Sequence, residues 1–499
     1  MQSSRVAVVG AGVAGLVAAV VLAAKGLKVT VLERASAPGG KLRIIDVAGR
    51  HIDAGPTVFT LRSIFDEVFE SAGTSLDAHL DLQRLDILAR HAWKTGGQLD
   101  LFASVERSAD AIGSFAGAAE SKRFLQFCDH ARRIYAILDR PFIRADKPSL
   151  QGLFKGVGFA NSRELWQIKP FSTMWQALGD YFQDKRLRQL FGRYATYCGS
   201  SPFIAPATLM LVAHVEQEGV WSVEGGMHRL ARALEQVAAG LGVDFRYDVE
   251  VKEVTVERGR VTGVRLADDR VPADAVVVNG DVEALTSGLF GSAVSHAVKA
   301  APAGGRSLSA VTWAMVAETD GFPLVRHNVF FSSDYPAEFD AIFRRQELPA
   351  EPTVYVCAQD RSDSAQPSIG DGERLLCLIN APANGDRRTY SIKDIDRCTE
   401  RMQSMLQSCG MRIVRELATT AVTTPTEFGR LFPATGGALY GRASHGWKAS
   451  FERPACRTKV PGLYVAGGSA HPGPGIPMAA LSGRTAALSL VKDLASTSR

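Results

Sequence analysis

None of the seven cysteines pairs with another as CxxC; Cys128, Cys198, Cys357, Cys377, Cys398, Cys409 and Cys456 are scattered and odd in number. That argues against a disulfide framework and against structural zinc, fits a reducing compartment, and leaves most of them as small core filler. There is no block of basic residues either. A net charge of +5 over 499 residues is slight, so no nucleic-acid partner is expected, although a weak attraction to anionic lipid remains open. Long apolar runs are equally scarce. Val6 to Ala24 carries no charge and is almost wholly apolar, and no second stretch is continuously apolar over the roughly 20 residues a bilayer span needs. The chain is too long for one simple core, so two domains, consecutive or interleaved, are expected.

The single apolar run mimics a secretion leader or a membrane span, but Gly10, Gly12 and Gly15 divide it. "RVAVVG" is a short β-branched run suited to a buried parallel strand. "VAGLVAAVVLAAKG" is rich in Ala, Leu and Val and closes on Gly26, as a helix with a glycine end does. "LKVTVLER" then reads as a second strand ending in Glu33. In this βαβ unit Gly10 permits the tight turn, Gly12 lets a pyrophosphate approach, and Gly15 allows close helix packing. The helix N-terminus offers free N–H groups to phosphates, and Glu33 can accept from ribose hydroxyls.

That motif does not choose between NAD and FAD. "ERASAPGGKLR" follows at once, with a second glycine pair, Gly39 and Gly40, and the cations Lys41 and Arg43. It suits a long extended cofactor, and it also reads as a solvated surface turn. The chain's far end, "GLYVAGGSAHPGPGIPMAALSGRTAALSLVKDL", adds another buried strand, dense glycine at Gly467, Gly468, Gly473 and Gly475, and a helix beginning near Pro477. A helix N-terminus there would stabilise negative charge on a reduced flavin ring. The plain alternative is a last strand and helix with no ligand.

These pieces, together with Gly240 to Asp281, resemble the flavoprotein amine oxidase and carotenoid desaturase superfamily. "IDAGPTVFTLR" and "AGGSAHPGPGIP" look like the bacterial phytoene desaturase type. "LRQLFGRYATYCGSSPFIAPATL" and "GVWSVEGGMHRLARAL" look most like its 1-hydroxycarotenoid 3,4-desaturase branch, which acts in spheroidene and spirilloxanthin synthesis. The resemblance spans nearly the whole chain. It implies an α/β fold with a Rossmann-like FAD-binding domain and a discontinuous substrate domain of mixed sheet and helices. The FAD-binding domain would comprise residues 1–85, 220–300 and 455–499, and the substrate domain 86–219 and 301–454. FAD would touch Gly10, Gly12, Ala14, Gly15, Glu33, Arg34, Gly40, Lys41, Arg43, Gly55, Pro56, Thr57, Val251, Gly467, Gly468, Ile476, Pro477 and Met478. Asn279, Gly280 and Asp281 would lie nearby. Gly468 and Ser469 stand where several family members carry an acidic residue, so no acidic ribityl contact is carried over.

Desaturation removes a hydride from one carbon and a proton from its neighbour, and an adjacent polyene spreads the developing charge. Such chemistry needs alignment near a flavin in an apolar channel more than it needs strong acids. Asp53 reads as a base or, more simply, as a carboxylate capping N–H groups of its own turn. No metal site is expected, and the catalytic residue is left open, as is the electron acceptor, oxygen or quinone. The acyclic carotenoid substrate lives in lipid. Peripheral attachment to the cytoplasmic side of the inner or an intracytoplasmic membrane is therefore expected, through an apolar helical surface within Leu150 to Phe182. A buried tertiary hydroxyl without a partner costs about 1–3 kcal/mol. His91, His214, Glu216 and Gln217 are candidates, by residue type, to receive it. From Ala109 to Ala233 the chain reads as mostly helical, and 306–318, 352–360 and 374–383 as strands. Asp360 to Arg374 reads as a surface hairpin loop, and Thr423 to Gly446 as a segment close to the active site. Other functions stay open: a phytoene desaturase of the same fold, another flavin oxidase such as one acting on an amine, and a carotenoid isomerase or lipid escort.

Overall fold

A computed structural model describes residues 4–149, 151–152, 168–169, 171–301, 304–362, 372–416 and 420–497. The apolar run near the start forms strand Arg5–Val9 and helix Val13–Ala24, and strand Lys28–Leu32 follows. The helix is greasy on every side because it is covered on every side: every residue from Val13 to Leu22 is buried. It ends where Gly26, at φ +81°, donates to the carbonyl of Ala23, a left-handed close that glycine permits. No described helix is long and apolar enough to cross a membrane.

Five parallel strands form the sheet beneath it, in the order Leu463–Val465, Ala275–Val278, Arg5–Val9, Lys28–Leu32, Asp244–Arg246. Ala275–Val278 is buried along its whole length, as a central parallel strand must be. The strands come from three distant parts of the chain, so the two ends meet in one sheet. The meander of Glu253–Glu257, Arg260–Arg265 and Arg270–Pro272 stands beside it.

A second sheet of eight strands is mixed. Its order is Arg412–Glu416, Ser309–Asp320, Glu373–Ala381, Val354–Ala358, His327–Phe331, Ile87–Trp93 and Gln98–Phe102, with Ala421–Thr423 also on Ser309–Asp320. Ile87–Trp93 joins it in parallel with His327–Phe331. The sequence reading had no strands in 87–102, since this stretch carries charge within its alternation. Helix Ile392–Ser408 covers one face through Met402, Met405 and Leu406. Against the edge strands, Trp93 and Phe331 stack at 5.2 Å and meet a helical core in which Phe127, Phe182 and Phe191 interlock. Those aromatics at helical spacing are therefore core. Much of Leu150 to Phe182 and the tip of the 360–374 loop lie outside the described residues. Of the described part, Met174, Leu178 and Phe182 are buried in the helical core, whereas Phe171 is 63% exposed.

His91 and His327 sit on neighbouring strands inside this sheet, each 3% exposed. Burial first, and nearby Arg193 as well, pushes both imidazoles down to about 3. Both are neutral in the folded chain, whereas unfolding returns them to about 6.5. Between these values the unfolded chain binds more protons, so stability falls as the pH falls, by up to about 1.4 kcal/mol per unit for each ring. The urea midpoint is expected to drop between pH 7 and 5, and to drop less in His91→Asn. A midpoint that does not move over that range contradicts the neutral buried state.

Candidate functional site

The turn after the first strand is held by backbone and one carboxylate. Gly10, at φ +100°, donates to the carbonyl of Leu32 at 2.8 Å. Glu33 accepts from the amides of Ala11 at 2.7 Å and Ala35 at 2.8 Å, locking the turn to the end of the second strand. A Cβ on Gly15 would stand 2.1 Å from the Gly10 carbonyl oxygen, and one on Gly12 would stand 2.7 Å from Asn279 Oδ1. Helix Val13–Ala24 has no side-chain cap and no acid in its first turn, so its leading amides stay free for an anion.

Asn279 links this turn to the chain's other end. Its Nδ2 donates to the carbonyl of Ala466 at 2.9 Å, while its buried Oδ1 has no partner. The turn beyond Ala466 is fastened by buried Arg453, which donates to the carbonyls of Gly468 at 3.0 Å and Arg442 at 2.6 Å. Burial lowers this guanidinium to about 10. Ser482 receives the amide of Gly467 at 3.1 Å, and helix Ile476–Thr497 begins at the cleft.

These turns border one cavity of about 940 Å3. Gly10, Gly12, Ala14, Glu33, Arg34, Gly40, Lys41, Arg43, Gly55, Pro56, Thr57, Val251, Gly467, Gly468, Ile476, Pro477 and Met478 all line it. Gly15 does not. It lies one layer behind, where its missing side chain lets the helix close on the Gly10 carbonyl. The cations reach across the cleft to the 423–439 segment: Lys41 Nζ donates to the carbonyl of Leu439 at 2.5 Å and Arg43 to Thr423 Oγ1 at 3.0 Å. Arg34 donates to the carbonyls of Arg430 and Leu431. Burial lowers the pKa of Lys41, with nearby Asp281 opposing.

Asp53 is a cap, but a distant one. Its carboxylate accepts from the amides of Met227 at 2.7 Å and His228 at 3.2 Å, at the start of helix His228–Gly240. It does not cap its own turn and does not line the cavity. The helix N-terminus is the better partner because it gathers unpaired amides and a positive dipole end.

Away from the nucleotide turns the cavity wall is mostly aliphatic and aromatic, with Leu138, Ile143, Leu209, Val212, Val215 and Phe142 among its members. The eight-stranded sheet roofs it with side chains two apart: Thr353, just ahead of strand Val354–Ala358, and Tyr355 within it, then Leu376, Leu378 and Asn380 on the next strand. Within this wall stands a polar island. Arg193 donates to Tyr197 Oη at 3.0 Å, Tyr194 Oη donates to Glu216 Oε2 at 2.6 Å, and Tyr355 Oη lies 2.7 Å from both Thr57 Oγ1 and His327 Nδ1. Of the four polar candidates, Glu216 alone lines the cavity. His91 bonds the carbonyl of Leu99 inside the sheet, His214 pairs with Glu218 at 3.3 Å, and Gln217 donates to Cys128 Sγ at 2.9 Å. Arg193, Tyr197, Tyr355 and Arg453 were not singled out from the sequence, where no spacing relates them.

A parallel sheet with an uncapped helix N-terminus at a glycine turn, closed by the C-terminal strand and helix over a shared cavity, defines an FAD-dependent oxidoreductase. The flavin containing amine oxidoreductase family matches residues 13–490. The chain belongs to that family and, within it, to the carotenoid desaturases. Hydroxyneurosporene desaturase of Rubrivivax gelatinosus is 53% identical, aligned over 100% of this chain and 95% of that protein. The protein of the same name from Cereibacter sphaeroides is 45% identical over 99% of both. Among solved structures, putrescine oxidase bound to putrescine matches with a TM-score of 0.61 at 15% identity, covering 98% of this chain and 99% of that one, a likeness of fold alone.

The glycine contacts carry a stability prediction. Gly15→Ala sets a methyl against a rigid carbonyl and is expected to cost at least about 2 kcal/mol. Gly240→Ala, with nothing within 4 Å of the added methyl and no positive φ, is expected to gain about 0.5 kcal/mol. Urea unfolding of the two variants checks the pair; equal midpoints would refute the packing at Gly15.

Proposed function

We propose that the chain desaturates an acyclic carotenoid, introducing the 3,4 double bond of a 1-hydroxy- or 1-methoxy-neurosporene or 1-hydroxylycopene. The observation that carries this reading is the continuity of one cavity, glycine-lined at one end and apolar along the rest. The desaturases that the chain matches over its full length support it.

The donor set fits FAD. The free amides after Gly12 and beside Ala14 would hold the pyrophosphate, Glu33 the ribose, and Val251 the adenine. Arg34, Gly40, Lys41 and Arg43 would lie along the extended chain of the cofactor. Gly55, Pro56, Thr57, Gly467, Gly468, Ile476, Pro477 and Met478 would surround the ring and ribityl chain. The bound flavin supplies the hydride acceptor. The protein's own share is positional. Leu376, Leu378 and Thr312 from the sheet, with the helical wall opposite, keep a stiff polyene aligned and keep water out. Incubated with hydroxyneurosporene in liposomes, the FAD-loaded enzyme is expected to give a product two hydrogens lighter that absorbs at longer wavelength. A product of unchanged mass identifies an isomerase or an escort and overturns the desaturase reading.

The same cavity supports membrane docking. Phe171 is 63% exposed and Trp447 37%; both line the cavity, and their rings meet edge-on at 5.5 Å. Ile204, also exposed, adjoins them through its carbonyl, which accepts the amide of Gly446. Lys448 covers the Trp447 ring at 5.2 Å. Exposed aromatics beside a cation at a cavity mouth suit the boundary between lipid headgroups and acyl chains. The protein is expected to float with anionic liposomes, and the Phe171→Asp, Trp447→Asp double variant to stay at the bottom while keeping its FAD. Wild-type protein that remains at the bottom would end this part of the proposal.

A further inference from the structure

Resting on the desaturase reading, we infer that Arg193, Tyr197 and Glu216 form the pocket for the oxygen at the substrate's end and make the enzyme favour a free hydroxyl over a methoxy group. All three line a cavity whose other walls are largely apolar. Arg193 is half-buried and lines this cavity. Its one described hydrogen bond uses Nη1, to Tyr197 at 3.0 Å, although a guanidinium carries five donors. Glu216 accepts from Tyr194 at 2.6 Å and also bonds Tyr197, the residue that receives the Arg193 bond, and its two oxygens retain lone pairs beyond these. Among the described ion pairs none joins Arg193 to Glu216. A half-buried cation and a buried carboxyl group thus share one wall, linked through Tyr197 and not directly to each other. Each is costly to leave short of partners, and a small group able to donate to one and accept from the other would satisfy both.

The position suits the reaction. The oxygen on C1 is separated from C3 by a single further carbon, so it stands within about 4 Å of the reacting bond. Its partner must therefore lie beside the redox centre, well away from the far end of the tunnel. Arg193 lies over the Tyr355 ring at 5.5 Å, and the Tyr355 hydroxyl bonds Thr57 in the turn that would border the flavin. A tertiary hydroxyl can donate to Glu216 and accept from Arg193. A methoxy oxygen can accept from Arg193 but has no proton for Glu216, and a hydrocarbon end satisfies neither.

These differences separate the two contacts by experiment. The FAD-loaded enzyme in liposomes is assayed for kcat/KM on 1-hydroxyneurosporene, its 1-methoxy analogue and neurosporene. Dissociation constants for the three are taken in parallel from quenching of protein fluorescence. The wild type is expected to rank hydroxyl over methoxy over hydrocarbon. Charge-assisted contacts of this kind correspond to roughly tenfold or more in each ratio. Arg193→Met is expected to collapse the methoxy-to-hydrocarbon ratio. Glu216→Gln should lower chiefly the hydroxyl-to-methoxy ratio, and Tyr197→Phe, the milder variant, both ratios by a smaller factor. Equal losses on all three substrates in every variant assign these residues a merely structural role and overturn the inference, as does a wild type that prefers methoxy. If the wild type desaturates none of the three, the desaturase reading fails, and the dissociation-constant ratios still decide whether this pocket recognises oxygen.

Discussion

The Ala14 carbonyl oxygen lies 2.1 Å from where a Cβ on Gly483 would stand, so helices from opposite ends of the chain touch backbone to backbone. The same closeness recurs between Gly15 and Gly10, and Asn279 spans from the first glycine turn to Ala466 in the last. This meeting of chain ends is the constraint on which the rest depends. It brings two uncrowded turns and two helix N-termini to one rim, where a dinucleotide can lie against backbone amides. A single methyl at the contact would spread the helices and open the rim. The hydrophobicity that makes the opening run look like a membrane segment follows from the same constraint, since a helix clamped between a sheet and other helices keeps no polar face.

The cavity draws its two characters from two sheets. The parallel sheet contributes strand ends and turns, which present amides and carbonyls. The mixed sheet contributes a face, and alternate residues along its strands bring Leu376 and Leu378 together with Tyr355 and Asn380 into the roof. The charges in the helical wall opposite, Arg193 and Glu216, are few and local. In a low-dielectric wall an arginine, a glutamate and three tyrosines are expensive to maintain as packing. Their concentration beside Thr57, where the reacting carbons would sit, accords with recognition at the reactive end of a long apolar molecule. The exposed rings of Phe171 and Trp447 at the mouth complete an arrangement that runs from a lipid-like rim through an apolar passage to a polar stop.

Much of this was legible in the residues. The βαβ unit, its closing glycine, Glu33 at the end of the second strand and the glycine-dense tail each rest on interactions between near neighbours in the chain, and such interactions are written in spacing. So was the class of cofactor, because glycine density marks where backbone must come close. Distant partnerships were not. Asp53 looked like the cap of its own turn, yet it caps a helix that starts 175 residues later. Gly15 carried both a packing and a cofactor reading; its place against the Gly10 carbonyl, behind the cavity, is the packing one. His91, Gln217 and Glu216 were equivalent by residue type; one went into a sheet, one to Cys128, and one to the cavity wall.

The sequence by itself determined the local elements, the first glycine turn, the class of cofactor and the family, since each is carried by short-range pattern or by likeness along the whole chain. Only the tertiary structure decided which polar side chains share one cavity. Arg193 and Tyr197 sit on one short turn, Glu216 on the next helix and Tyr355 on a strand more than a hundred residues further on. Their association is set by how helices close over the mixed sheet, and packing of that kind leaves no periodic trace in the chain.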